Sequence, residues 1–222
     1  MDENKSLFPK VSQTQRTFFV SRLTEWGKRH KRNFVWREHS QDFFVVFVAE
    51  FFLRRTRAES VDRLLRSQFL KTFHGFCDIA GADQKTLSSL LTPLGLHNQR
   101  ARALLEISQI LCVRESPPTP AEILRLPHCG RYIANAVACF YYRQRAPLVD
   151  RNVQRVFHRF FNLPVALEIH KADYLWEFAE GLLPQNAADF NSILLDFSAL
   201  VCKPGKPRCD ACPLKQKCPF YQ

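Results

Sequence analysis

The sequence predicts an all-α chain folded as two helical lobes. Apolar residues recur with helical spacing almost throughout its 222 residues. Glycine is scarce, 7 residues against 20 phenylalanines, so the chain has much packing material and few forced turns. The stretch whose composition favours strand, Phe43 to Leu53, has no hairpin partner on either side. A chain of this length buries one large core or two modest ones, and two helical lobes with a cleft between them are the simplest arrangement.

The elements follow in order. Phe19, Leu23 and Trp26 mark a first helix, which ends in the basic run Lys28-Arg29-His30-Lys31-Arg32. A second lies near Asp42 to Arg57. Ala101, Leu104, Leu105, Ile110 and Leu111 form a helical stripe. Thr119-Pro120-Ala121-Glu122 is a start signal, with Thr as N-cap and Pro at the first helical position, for a helix to Leu126. Another runs from Arg131 to about Tyr142. Asp150 opens the next, whose apolar face is Val153, Val156, Phe157 and Phe160. Trp176 to Leu183 and Ser192 to Val201 complete the set. There are no internal repeats and no low-complexity linker.

The formal net charge of +11 fits a polyanionic partner, although charge alone does not separate DNA from RNA or an acidic membrane. The longest apolar run carries Glu50 and is too short to span a bilayer.

Cys202, Cys209, Cys212 and Cys218 read C-x6-C-x2-C-x5-C beside a basic loop. An all-cysteine zinc site usually uses two C-x2-C knuckles separated by a long loop. Here a single C-x2-C has one further cysteine on each side, which suits a 4Fe–4S cubane better than zinc. Cys77, Cys112, Cys129 and Cys139 are scattered and read as small buried hydrophobes, with no disulfide framework. With no apolar signal segment, a reducing intracellular compartment follows.

Three further features bear chemistry. Leu126-Pro127-His128-Cys129-Gly130 joins two predicted helices by a short turn, as in a helix–hairpin–helix. The N–H groups at the start of its second helix suit a phosphate; an ordinary helix connection is the competing reading. Asp150 reads equally as an N-cap and as a carboxylate kept ionised by the helix dipole. Glu50 lies among residues that favour burial, where desolvation favours the protonated form a general acid needs. The alternative places Glu50 on a polar helix edge, paired with Arg54.

Together these residues resemble the helix–hairpin–helix DNA glycosylases with an iron–sulfur cluster, the group of endonuclease III and the MutY-type adenine glycosylases. Within it the chain resembles most the archaeal thymine–DNA mismatch glycosylases. The match runs through Trp36-Arg37; Ala49-Glu50-Phe51-Phe52-Leu53-Arg54-Arg55-Thr56; Leu94-Gly95-Leu96-His97-Asn98-Gln99-Arg100-Ala101; Leu126 to Asp150; and Asp189-Phe190-Asn191 through Cys218. It covers roughly residues 15 to 220.

The resemblance implies a six-helix barrel over 38–148 with the hairpin at about 122–142, and a cluster lobe built from 1–37 and 149–222 with its loop at 202–218. It implies a monofunctional glycosylase of base excision repair that removes thymine or uracil opposite guanine. An adenine glycosylase acting on A:G mispairs is the alternative, and a non-catalytic redox-sensing DNA-binding protein is the reading from another class. Asp150 takes the family's catalytic position, Glu50 exchanges a proton with the base, and Tyr132 lines the pocket. Arg55 and Leu96 match the residues that wedge into the gap in the duplex. His128, Gly130, Arg131, Lys206 and Arg208 contact DNA, and the four cysteines hold the cluster.

Three departures refine this. Lyase members carry lysine where this chain has Tyr132, and a phenol forms no Schiff base. The first hairpin glycine is His128, which is strained if the position needs positive φ. The chain also ends four residues past Cys218, without the second domain of bacterial adenine glycosylases. The implied partner is double-stranded DNA with a mismatched base. The implied state is a monomer, cytoplasmic and nucleoid-associated, with no membrane contact.

Overall fold

A computed structural model describes residues 11 to 221, and these contain helices and turns but no strand. In chain order the helices begin with α1 (Gln13–His30), α2 (Val35–Glu38), α3 (Phe43–Phe52) and α4 (Ala58–Leu64). After a π-helical turn at Leu65–Phe69 come α5 (Leu70–Thr72), α6 (Phe76–Ala80) and α7 (Gln84–Leu91). α8 (His97–Cys112), α9 (Pro120–Ile123) and α10 (Arg131–Phe140) follow. α11 (Arg151–Phe161), α12 (Asp173–Glu180) and α13 (Ala187–Leu200) are the last α-helices described. None of them is long and apolar enough to cross a membrane.

The chain divides into two compact units, Met1–Arg32 with Gln144–Gln222 (unit 1) and Asn33–Arg143 (unit 2). In unit 1, α1 packs on α11 through Phe19, whose ring lies 5.1 Å from Phe160 and 4.8 Å from Phe161. α1 also approaches α13 closely: any Cβ at the buried Gly27 would collide with Ile193. The same two helices are joined by charge. Asp196, fully buried in α13, accepts from Arg32 Nε at 2.7 Å and from the Arg32 backbone N–H at 2.9 Å. Removing one member of such a buried pair costs about 3–5 kcal/mol.

Unit 2 is built around α3. Every residue of this helix is buried, among the rings of Phe69 and Phe76. Asp42 caps it by accepting from Val45 N–H at 3.2 Å. The helix stops at Phe52, five residues short of the expected Arg57, because Arg55 adopts φ +59° and cannot continue a right-handed helix. The predicted α9 ends at Ile123 rather than Leu126, although its capping box between Thr119 and Glu122 is complete. α12 and α13 start earlier than expected, at Asp173 and Ala187, and α13 is capped by Asn186.

One cysteine expectation is overturned. Cys77 in α6 and Cys112 at the end of α8 form a disulfide, with Cα atoms 4.6 Å apart and a sequence separation of 35. Cys77 is exposed rather than buried. Pairing over such a span leaves no sequence motif, so spacing could not reveal it. A reducing compartment therefore does not follow from cysteine usage alone.

Candidate functional site

Asp150 is an N-cap, and a heavily bonded one. Its Oδ1 accepts from the N–H groups of Asn152 at 2.9 Å and Val153 at 2.7 Å, and its Oδ2 accepts from Asn152 Nδ2 at 2.9 Å. Three N–H donors at a helix N-terminus fix the direction of this carboxylate. The contacts continue: Asn152 Oδ1 accepts from Arg155 at 2.9 Å, and the same guanidinium donates to the carbonyls of Cys202 and Ser198 at 2.9 Å each. Asp150 is thus linked, through two side chains, to the first cysteine of the thiol loop.

Glu50 belongs to unit 2 and has the opposite environment. It is 1% exposed, in the last turns of a helix whose other residues are all apolar. Burial of this degree rules out the polar-edge reading. Arg54, four residues on, turns instead to the carbonyls of Phe51 and His128, at 3.3 and 2.8 Å, and lies 4.5 Å over the Phe51 ring. Tyr132 is the second residue of α10 and packs, half-buried, against the same core.

The hairpin forms as the sequence suggests. Gly130 caps α10 with extended backbone, and Arg131 is the first helical residue. His128 does adopt positive φ, at +60°. Its ring lies 2.8 Å from Glu106 Oε2, and its carbonyl accepts from Arg54.

Arg55 and Leu96 are left-handed as well, at φ +59° and +50°. A non-glycine residue there costs on the order of 1–2 kcal/mol, so the surroundings must hold it. Leu96 is 51% exposed, and Arg55 is exposed too. An apolar side chain held out into solvent on strained backbone is a feature that core packing does not explain.

In unit 1 the thiols of Cys202, Cys209, Cys212 and Cys218 are free and half-buried. Burial pushes the Cys212 thiol up to about 12, and the neighbouring thiols of Cys218, Cys202 and Cys209 add to the rise. Burial raises Cys218 as well, again with Cys202 and Cys209 contributing. The four sulfurs therefore share one electrostatic neighbourhood, which Asp210 also enters beside Cys209, and a set of four thiols fits an iron–sulfur cluster. Arg159 braces the loop, donating to the Cys202 sulfur at 3.6 Å and the Lys203 carbonyl at 2.7 Å. Among the described residues no group of three or more His, Cys, Asp or Glu side chains is arranged to hold a metal ion. The thiolates of a cubane bind separate irons and stand wider apart than the ligands of one ion. Lys206 and Arg208 are exposed on this loop.

An open groove of about 680 Å³ in unit 2, lined by Glu38, His39, Phe43, Phe76 and Tyr141 among others, contains none of the expected site residues. Sequence reasoning passed over Arg100, Asn152 and Arg155. Each is a polar side chain on a helix face, and only the fold reveals what it touches.

Residues 48–181 match the family described as HhH-GPD superfamily base excision DNA repair protein. The thymine/uracil-DNA glycosylase of Methanothermobacter thermautotrophicus is 34% identical over 96% of this chain and 97% of its own length. The mouse adenine DNA glycosylase is 30% identical over 97% of this chain but only 44% of its own. A solved thermostable thymine-DNA glycosylase superposes with a TM-score of 0.85 at 33% identity, covering 94% of this chain and 97% of that one. An endonuclease III–DNA complex shares the fold, with a TM-score of 0.81 at 19% identity. The all-helical architecture and the hairpin before α10 agree with these likenesses, and the chain belongs to the HhH-GPD superfamily of base excision DNA repair proteins.

Proposed function

We propose that this protein is a monofunctional DNA N-glycosylase that removes thymine or uracil mispaired with guanine. The observation that carries the reading is Asp150, a carboxylate fixed by three N–H donors in a chain similar along its whole length to thymine/uracil glycosylases. Breaking the N-glycosyl bond leaves positive charge on the deoxyribose. A preoriented anion stabilises that charge without reorganising. Glu50, buried among apolar residues, exchanges a proton at the departing base. Tyr132 lines the base pocket and supplies no amine, so the sugar forms no Schiff base with it.

The mismatch supplies selectivity, because a mispaired base costs least to unstack. Arg55 and Leu96 enter the gap it leaves. The N–H groups beside Gly130 and Arg131, with His128, grip the phosphate backbone. Cys202, Cys209, Cys212 and Cys218 hold a 4Fe–4S cluster, which when bound cross-links the loop that presents Lys206 and Arg208 to phosphates. The protein acts as a monomer.

The test is a panel of end-labelled duplexes, one for each mismatch, incubated with the protein and scored before and after alkali. Strand breaks at G·T and G·U appearing only after alkali are expected. Breaks at A·G instead would assign the protein to adenine, and borohydride trapping of a covalent adduct would overturn the monofunctional reading. Binding without base loss on any duplex would leave the non-catalytic alternative.

A further inference from the structure

Four residues of unit 2 combine exposure with left-handed backbone, Arg55, Leu96, His128 and Arg143, and the first three share a set of contacts. These three come from separate segments, yet one hydrogen-bond network ties them. At its centre is Arg100 in α8, only 6% exposed. Its Nη1 donates to the Phe52 carbonyl at 2.7 Å. Its Nη2 donates to the Arg54 carbonyl at 2.7 Å and to the Thr56 hydroxyl at 2.6 Å. Both neighbours of Arg55 are thereby held by one guanidinium.

The Leu96 loop is tied to the same place by backbone and by Thr56. The Arg100 backbone N–H donates to the Leu96 carbonyl at 2.9 Å. The Thr56 hydroxyl donates in turn to the Leu94 carbonyl at 3.3 Å, which joins the two loops directly. Arg54, whose carbonyl Arg100 holds, donates to the His128 carbonyl at 2.8 Å and so extends the network to the hairpin. All the acceptors of the Arg100 side chain are neutral, and burial pulls its pKa down. Placing a guanidinium there is costly, and a helix end needs only one donor to satisfy its last carbonyl. The planar fork does what a point charge cannot: it holds several acceptors at fixed angles.

We propose that Arg100 is the positioning residue that sets the wedge side chains Arg55 and Leu96, and with them the hairpin, for extrusion of the target base. This rests on the glycosylase reading above. Arg100 touches neither base nor sugar. It acts by holding strained loops at one separation, so that the wedge enters the stack already ordered.

The test uses Arg100→Lys, which keeps the charge but not the fork, and Thr56→Val, which keeps the shape but removes the hydroxyl. Thr56→Val carries the test alone if Arg100→Lys does not fold. Single-turnover excision from a G·U duplex should fall about tenfold or more. The fluorescence rise of a 2-aminopurine beside the target, which reports extrusion, should be lost in parallel. In an Arg55→Ala, Leu96→Ala background, Thr56→Val should add no further loss, since the side chains it positions are gone. A slower rate with the fluorescence rise intact, an additive loss in that background, or an unchanged rate would each overturn the proposal. Wild-type protein that neither extrudes nor excises would refute the glycosylase reading itself, and this inference with it.

Discussion

The two carboxylates proposed for the chemistry sit in contrasting surroundings, one in each unit. In unit 1, Asp150 is fixed by contacts: three N–H donors, then Asn152, Arg155 and the carbonyl of Cys202. In unit 2, Glu50 is fixed by burial in a helix of Phe, Val and Ala. The contrast extends to the units around them. Unit 1 ends in a loop of four free thiols braced by arginine, while unit 2 has a large aromatic core and a disulfide.

This comparison can be broken at its strongest point first. If the four thiols hold a cluster, Cys212→Ser should lose iron and most soluble protein, because unit 1 then lacks its cross-link. Wild-type protein should be brown and carry about four irons. Colourless, stable wild-type protein with one zinc would contradict the assignment. Reducing Cys77–Cys112 should weaken unit 2 instead, by about 4 kcal/mol for a closed loop of this size. Thermal unfolding with and without reductant checks this, with Cys77→Ser showing the same shift. Equal loss of both units' signals in both experiments would show that they do not melt by separate means.

A smaller effect probes Glu50 itself. Glu50→Gln should leave thermal stability unchanged or raised, since a buried carboxyl is replaced by a neutral group of like shape. Excision of thymine should slow by about tenfold, below the usual general-acid contribution because a pyrimidine leaves with less help than a purine. Lost stability with the rate intact would make Glu50 a structural residue. The smallest effect concerns the basic loop of unit 1. Lys206→Ala and Arg208→Ala should each lower the salt dependence of duplex binding by about one unit. An unchanged slope would place the DNA on another face.

Legibility in the sequence followed distance along the chain. The thiol loop lies within 17 consecutive residues, and helix periodicity is local, so both were readable. The capping box at Thr119 and the cap at Asp150 are local too. The helices between Ala58 and Leu91 escaped, because their short lengths and the π-helical turn at Leu65–Phe69 blur the period. The Asp83 cap and the buried Leu87 and Leu91 were the signals available there. The disulfide, the Arg100 network and the Gly27–Ile193 approach each join residues far apart in sequence, and no local pattern encodes them. Positive φ at Arg55 and Leu96 was hidden for the same reason: tertiary contacts, not residue type, impose it.

The Asp150 charge is proposed to act in the chemistry, beyond capping the helix. The most direct measurement is single-turnover excision of thymine from a G·T duplex by Asp150→Asn, with duplex affinity and thermal stability measured on the same protein. Asparagine is as good an N-cap as aspartate, so stability and affinity should be nearly kept. The rate should fall about a hundredfold or more, the loss expected when a fixed charge is removed from a developing cation. An intact rate, with or without a lower melting temperature, would reduce Asp150 to a helix cap and contradict the account.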